Sequence, residues 1–303
     1  MLVLDMHCDS LLTVKENEGL IKPYNFSDKH PHLQFAAAFV PRDERAPEER
    51  RAELMHYFNV YLYETARLGI PAVKCAEDIY KFEENGTRAA IFSVEGGGGL
   101  FADSPELEIL RAGGLRVIGM AWDTNELAAC AWDKDDMGLS FLGKDFVKKC
   151  DSLGIISDVS HLSDRSFYEL AEISSYPIIA THSNFRELCD SPRNLTKDMA
   201  REIVRRGGVI GLNLYPSFLK NGGEADTDDI IRHVDFALEN FGEDSLGFGF
   251  DIDGTDGRYP KGISVKSSIH DQVIELLLSK YSAATVEKIA GLNVQNFLKS
   301  NLV

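Results

Sequence analysis

The chain has 303 residues, of which 44% are hydrophobic, and it carries a net charge of −16 from 48 acidic and 32 basic side chains. A surface this negative repels nucleic-acid backbones and anionic lipid head groups, so no nucleic-acid partner is expected. No stretch approaches the roughly 20 apolar residues of a membrane helix, and the first residues, MLVLDMHCDS, lack the basic segment of a signal peptide. We therefore expect no membrane anchor.

Taken in chain order, eight short apolar runs alternate with longer amphipathic segments. The runs predicted as strands lie at 2–8, 33–40, 88–94, 116–122, 154–160, 177–182, 208–215 and 245–250. The segments predicted as helices lie at 46–68, 104–112, 140–152, 163–174, 196–206, 227–241, 270–280 and 283–300. These alternations predict an α/β fold in which residues 1–303 form a single (β/α)8 barrel. A doubly wound open sheet is the alternative, but its GxGxxG fingerprint after the first strand is absent.

The five cysteines are scattered, odd in number and free of any CxxC pair. Disulfide-stabilised domains usually carry paired cysteines at regular spacings. We therefore expect reduced thiols and a cytoplasmic location.

Chemically active side chains collect where the predicted strands end, which is where (β/α)8 barrels place their reactive groups. Six of the eight strand ends carry an ionisable side chain, and three of those carry histidine. The candidates in chain order are His7, Asp9, Glu95, Trp122, His161, His182, Tyr215 and Asp251.

Five of these candidates suit a metal site. His7 and Asp9 are two residues apart on a strand, so their side chains point the same way. His161 and His182 each close an apolar run, where a lone histidine is more often a hydrogen-bonded core residue than a ligand. Imidazoles and carboxylates together suit zinc, and five ligands exceed what one tetrahedral ion needs. Glu95 is the only unpaired carboxylate, so we predict that it bridges two zinc ions, which would hold a hydroxide between them and polarise a substrate carbonyl.

Four glycines follow Glu95 in the segment SVEGGGGL. A glycine run after a strand can cradle a phosphate or serve as a linker. No lysine follows the run, and strand and helix patterns continue on both sides, so neither interpretation is favoured. We interpret the glycines as a tight turn that keeps Cβ atoms away from the mouth of the site.

Asp251 ends the last predicted strand in the acidic segment GFGFDIDGTDG. A carboxylate near a metal-bound water can take its proton and pass it to a leaving amine, so Asp251 and Glu95 are the candidate catalytic residues. A calcium loop is the alternative for this segment, but the EF-hand pattern fails at Thr255 and Gly262.

Arg193 lies in CDSPRNLT, shortly after His182. A guanidinium in such a loop can bind a substrate carboxylate through two hydrogen bonds, although composition alone favours a surface arginine. Cys8 is a weaker candidate as a nucleophile, because only His7 is placed to activate it.

Seven segments of the chain resemble the membrane (renal) dipeptidase family, the M19 metallopeptidases, within the metal-dependent amidohydrolase-like barrels. They are DMHCDS, SVEGGGGL, GLRVIGMAWDTNELA, SDVSHLS, ATHSNFRELCDSPRNLTKDM, VIGLNLYPSFL and GFGFDIDG, in family order across most of the chain. The resemblance implies a bacterial-type zinc dipeptidase of broad range, including substrates whose C-terminal residue has the D configuration. It implies one zinc ion on His7 and Asp9, a second on His161 and His182, and Glu95 between them. The family is often dimeric, so a homodimer is possible.

The same resemblance implies that Arg193 binds the C-terminal carboxylate of the dipeptide and that Asp251 transfers the proton. Mammalian members end the fourth strand with a substrate-contacting histidine, where this chain has Trp122. Indole can donate one hydrogen bond but cannot become a cation. We therefore expect Trp122 to shape the pocket, with Asn125 and Tyr215 as further substrate-binding residues.

Two other functions stay open on the sequence. A different amide hydrolase could use the same metals on an N-acyl amino acid, a cyclic amide or a lactone, because such barrels differ mainly in their loops. A non-catalytic metal-binding barrel is the other alternative, with Trp122 as the mark of lost catalysis. The complete set of candidate ligands together with Asp251 argues against it.

Overall fold

The computed structural model describes residues 1–13 and 25–302, and within them eight parallel strands form one sheet. The strands are β1 (Val3–Asp5), β2 (His32–Phe39), β3 (Arg88–Glu95), β4 (Leu115–Gly119), β5 (Ile156–Asp158), β6 (Ile178–Ile179), β7 (Ile210–Leu212) and β8 (Leu246–Phe248). Their order is β6-β5-β4-β3-β2-β1-β8-β7, and a parallel bridge between Ala180 and Ile210 joins the two ends of the sheet. The predicted (β/α)8 barrel is therefore confirmed.

The helices of the described part follow the strands in the predicted alternation. They are α1 (Ser10–Thr13), α2 (Pro47–Leu68), α3 (Ala76–Asn85), α4 (Pro105–Gly113), α5 (Phe141–Leu153), α6 (Asp164–Ile173), α7 (Lys197–Arg205), α8 (Pro216–Leu219), α9 (Thr227–Phe241), α10 (Ile269–Leu278), α11 (Ala283–Glu287) and α12 (Asn293–Asn301). The hydroxyls of Ser140, Ser163 and Thr196 accept hydrogen bonds from backbone N–H groups three residues on, which fixes the starts of α5, α6 and α7. No helix among these residues is both long and apolar enough to cross a bilayer.

The structure differs from the predicted elements in three ways. The helices α1, α3 and α8 were not predicted. The helix predicted at 283–300 is interrupted by a π-helical turn at Lys288–Leu292. Several strands are shorter than their apolar runs, because residues at their carboxyl ends leave the ladder to build the site; His161, for example, has a left-handed φ of 68°.

Alternate strand residues fill the interior of the barrel. This inner layer includes the buried side chains of Leu4, Leu33, Ile91, Val117, Ile156 and Ile179. Side chains two residues apart on a strand point the same way. Asp158 and Thr181 therefore continue the inner layer one step closer to the carboxyl ends of the strands.

Two positions of this inner layer carry glycine. A Cβ atom at Gly211 would lie 1.9 Å from the carbonyl oxygen of Thr181, and one at Gly249 would lie 1.8 Å from the same atom. The missing side chains therefore leave room for the backbone of Thr181, next to the candidate ligand His182.

We expect Gly211→Ala to lower the free energy of unfolding by at least about 2 kcal/mol, because the new methyl group would overlap a backbone atom that no rotamer change can move. Gly119→Ala in β4 is the matched control, since a Cβ atom there would lie 3.7 Å from its nearest neighbours, at ordinary contact. Urea unfolding followed by circular dichroism measures both losses. Equal losses would contradict the close approach at Thr181.

Candidate metal centre

A cavity of about 680 Å³ lies at the carboxyl ends of the strands. Its lining includes Asp9, Glu95, Trp122, His161, Tyr215 and Asp251. His7 and His182 contact these residues and are almost fully buried. The barrel thus brings together the candidates that the sequence placed at separate strand ends.

Glu95 ends β3, and its two oxygens face different histidines. Its Oε1 lies 2.7 Å from Nε2 of His161 and 3.2 Å from Nε2 of His182. Its Oε2 lies 3.6 Å from Nε2 of His7. One carboxylate is therefore shared by two sets of convergent groups, His7–Asp9–Glu95 and Glu95–His161–His182.

Two buried polar atoms of this cluster have no hydrogen-bond partner, Nε2 of His7 and Oδ1 of Asp9. Buried polar atoms in native proteins almost always have one. The two side chains converge, with 3.5 Å between Nε2 of His7 and Oδ2 of Asp9. Imidazole nitrogens and carboxylate oxygens are the donors that zinc and similar divalent ions bind, so the residues present fit such ions.

The histidines of the cluster differ in their electrostatics. Burial lowers the pKa of His161 to about 4, and it lowers the pKa of His182 well below the usual 6.5. Both imidazoles are therefore neutral at pH 7 and keep a lone pair for a cation. Burial also opposes a charge on His7, but Glu95 and Asp9 outweigh it and raise the pKa of His7 well above 6.5. A metal ion could take the place of the proton that these carboxylates attract.

Asp251 follows β8 with a left-handed φ of 61°. Its Oδ1 lies 3.9 Å from Nε2 of His7, and its Oδ2 accepts a hydrogen bond of 3.0 Å from the amide of Asn213. Burial, with the neighbouring charge of Asp9, raises the pKa of Asp251 to about 8. A Cβ atom at Gly254 would lie 2.2 Å from Oδ1 of Asp251 and 2.3 Å from Oδ2 of Asp9, so this close approach requires glycine.

The other carboxylates of the acidic segment face different partners. Asp253 accepts a hydrogen bond of 3.0 Å from the amide of Asn25. Asp256 lies 3.3 Å from the guanidinium of Arg258. The three carboxylates of the segment therefore do not converge as a calcium loop requires.

Arg193 is 3% exposed, so it is not a surface arginine. Its two terminal nitrogens donate to Oγ of Ser183 and to the backbone oxygen of His182, each at 2.8 Å, while its Nε has no partner. Its guanidinium lies 5.7 Å from the ring centre of Phe218, which lines the cavity. None of the residues described forms an ion pair with Arg193. Carboxylates such as Asp251 act on its guanidinium only through longer-range electrostatic attraction.

Trp122 and Tyr215 form walls of the cavity. Trp122 is 42% exposed, and its ring centre lies 6.1 Å from that of His161. The hydroxyl of Tyr215 accepts a hydrogen bond from Arg258. Both residues therefore line the cavity beside the candidate ligands, and their contact with a substrate stays a prediction.

Asn125 is placed differently, because its side chain is engaged with the protein. Its amide nitrogen donates to the backbone oxygen of Met120 at 2.8 Å, and its oxygen accepts from the backbone N–H of Leu127 at 2.9 Å. A Cβ atom at Gly98 would lie 2.9 Å from the amide nitrogen of Asn125. Asn125 therefore holds the loop after β4 against the glycine run, and its substrate contact stays a prediction.

Sequence reasoning missed three residues that support the site: Asp158, Thr181 and Asn213. Oδ1 of Asp158 accepts the backbone N–H of Thr181 at 2.9 Å, and its Oδ2 accepts the hydroxyl of Thr181 at 2.5 Å. A buried carboxylate needs such partners. The carboxylate inside the apolar run GIISDVS was therefore a signal in the sequence that could have identified Asp158.

Comparisons with known sequences place these residues in a family. The sequence profile described as membrane dipeptidase (peptidase family M19) matches residues 1–301. A Klebsiella pneumoniae protein, known by its position in the pqqA 5′ region, is 30% identical over 236 residues, which make up 74% of this chain and 86% of that protein. An uncharacterized dipeptidase of Schizosaccharomyces pombe is 30% identical over 238 residues, or 75% of this chain and 56% of the relative. Dipeptidase tcpJ of Claviceps purpurea is 28% identical over 228 residues, or 74% of this chain and 53% of the relative, so the chain spans about half the length of both fungal proteins.

Two crystal structures share the fold over the whole chain. A metallo peptidase from Rhodobacter sphaeroides, liganded with a phosphinate mimic of the dipeptide L-Ala-D-Ala, has a TM-score of 0.87 at 24% identity and covers 100% of this chain and 99% of its own. Dipeptidase AC, a metallo peptidase of family M19, has a TM-score of 0.89 at 25% identity with the same coverage. On the strength of the profile match to residues 1–301, this chain belongs to the membrane dipeptidase family, peptidase family M19, and is a hydrolase of the metallodipeptidase type.

Proposed function

We propose that the chain hydrolyses the peptide bond of dipeptides with two zinc ions held at the mouth of the barrel. The observation that carries this proposal is the placement of Glu95, whose Oε1 faces His161 and His182 and whose Oε2 faces His7. His7 and Asp9 would hold one ion, His161 and His182 the other, and Glu95 would bridge them. When bound, the pair would supply a hydroxide nucleophile held between the ions and would polarise the peptide carbonyl.

Asp251 is the residue we assign to proton transfer. The amide of Asn213 holds its Oδ2, which leaves Oδ1 on the side of His7 and the ligand cluster. The raised pKa of Asp251, about 8, allows this carboxyl to hold a proton near neutral pH. In its ionised form Asp251 would take a proton from the nucleophile, and the protonated carboxyl would then deliver that proton to the leaving amine.

Arg193 is the residue we assign to the C-terminal carboxylate of the substrate. A buried charge without an ion-pair partner is costly, and an anionic ligand would offset that cost. The guanidinium lies 5.7 Å from the ring centre of Phe218, which lines the cavity, so the carboxylate would approach beside this side chain. The peptide bond would then lie between Arg193 and the ligand cluster, with Trp122 and Tyr215 as walls.

We further propose a broad substrate range that includes dipeptides with a C-terminal D residue. The Rhodobacter sphaeroides structure contains a mimic of L-Ala-D-Ala, which makes this dipeptide a suitable first substrate. A screen of L,L and L,D dipeptides with zinc-reconstituted protein would define the range. The cytoplasmic location and the homodimer remain predictions from the sequence.

We expect zinc-supplemented protein to retain about two ions per chain after gel filtration, as measured by plasma mass spectrometry. Glu95→Gln should retain fewer than about one ion, because the variant loses the charge that both ligand sets share. Asp123→Asn is the matched control, since Asp123 lines the cavity but belongs to neither set. Wild-type protein with fewer than about one ion per chain would contradict the two-metal centre.

We expect Arg193→Met to raise KM for dipeptides by at least about tenfold, because each charge-assisted hydrogen bond to the substrate contributes roughly 1.5–3 kcal/mol. KM for the matching dipeptide amides should stay unchanged, since they lack the carboxylate. Arg116→Met controls for the loss of a buried arginine, because Arg116 donates only to backbone oxygens such as that of Leu115. An unchanged KM in Arg193→Met would favour a different binuclear-metal amide hydrolase.

We expect Asp251→Asn to lower kcat by about 100- to 10,000-fold, because asparagine cannot carry the proton. Zinc content should match the wild type. Asp256→Asn, in the same cavity-lining segment, should leave kcat near the wild-type value. Full activity in Asp251→Asn would refute the assignment, and a parallel loss of zinc would make Asp251 a metal ligand, which its position beside His7 and His182 permits.

A further inference from the structure

A chain of buried hydrogen bonds lies behind the candidate ligand His182. Oγ1 of Thr181 lies 2.7 Å from Nδ1 of His182 and 2.5 Å from Oδ2 of Asp158. Oδ1 of Asp158 accepts the backbone N–H groups of Ser160 and Thr181, each at 2.9 Å. Asp158, Thr181 and His182 are all at least nine-tenths buried, so water does not supply alternative partners.

Which group donates and which accepts in this series of hydrogen bonds follows from counting protons. Three donors point at the two oxygens of Asp158, which suits a carboxylate, a group that only accepts hydrogen bonds. The Thr181 hydroxyl donates its single proton to Oδ2 of Asp158. In its contact with His182 the hydroxyl can therefore only accept a hydrogen bond. Nδ1 of His182 must then carry the proton, and Nε2 must carry the lone pair.

The lone pair is directed at the ligand cluster. Nε2 of His182 lies 3.2 Å from Oε1 of Glu95 and 2.9 Å from Nε2 of His161. The same hydroxyl lies 3.5 Å from Nδ1 of His7, whose ring stacks on that of His182 with 3.7 Å between centres. The Thr181 hydroxyl therefore stands between histidines of both ligand sets.

We propose that Asp158 and Thr181 are positioning residues that fix His182 in the tautomer able to bind a metal ion. The proposal rests on the proposed metal centre, because the tautomer matters for metal binding by His182. The tautomer itself can be measured in the metal-free protein. Hydrogen bonds of this kind, from the second nitrogen of a metal-binding histidine to an acceptor, orient the ring and raise metal affinity.

Asp158→Asn is the decisive variant, because it changes no volume. Two backbone N–H groups hold the oxygen of the new amide at the position of Oδ1, so its NH2 group faces Thr181. The hydroxyl would then accept from the amide and donate to Nδ1 of His182, which moves the imidazole proton to Nε2. Long-range ¹H–¹⁵N spectra of the chelator-treated full chain at pH 8 report which nitrogen carries the proton.

We expect the proton on Nδ1 in the wild type and on Nε2 in Asp158→Asn. Zinc affinity, measured by competition with a fluorescent chelator, should fall by about 10- to 100-fold in Asp158→Asn and in Thr181→Val. Thr181→Ser keeps the hydroxyl and should restore both the tautomer and the affinity. Thr65→Val is the matched control, because the buried hydroxyl of Thr65 donates to the backbone oxygen of Tyr61 in α2.

A proton on Nε2 of His182 in the wild type would overturn the proposal. The proposal would also be overturned if Asp158→Asn and Thr181→Val bound zinc no more weakly than Thr65→Val does. Failure of the two-metal function gives a different result, in which the wild type binds no zinc and the tautomers still change as expected.

Discussion

The shared carboxylate of Glu95 is the constraint on which the rest of the structure depends. It is 5% exposed, and its two oxygens face imidazoles that follow β1, β5 and β6. Burial alone would make the ionised form costly, but the positive charge of His7 keeps the pKa of Glu95 well below its usual value. The closed barrel of parallel strands brings groups that are distant in the chain around one carboxylate.

The convergence of the candidate ligands could be predicted because one topological rule governs it. His7, Glu95, His161 and His182 each end an apolar run, and the carboxyl ends of parallel strands meet at one face of a barrel. The prediction that Glu95 bridges two ions followed from counting, since Asp9 already had a partner two residues away. These inferences needed only the topology of the barrel and the alternation of side chains along a strand.

The supporting residues could not be predicted in this way, because their roles depend on which atom faces which. Asp158 and Thr181 lie on strands whose register is fixed by the whole sheet, and their hydrogen bond joins β5 to the end of β6. Asn125 shows a different case, since a polar residue near a strand end can make its hydrogen bonds within its own loop. Arg193 also needed the structure, because composition cannot separate a buried guanidinium from a surface one.

Backbone strain is concentrated at the same cavity. Five non-glycine residues of the described chain have left-handed φ values, and four of them, His161, Asp251, Asp253 and Asp256, line the cavity. Each such conformation costs roughly 1–2 kcal/mol, and aspartate and histidine, the residue types found here, adopt it more readily than most. Gly254 leaves room for the carboxylate of Asp251, and Gly211 and Gly249 leave room for the backbone of Thr181. Local backbone preference therefore gives way at residues that line the cavity, and the stability of the barrel offsets the cost.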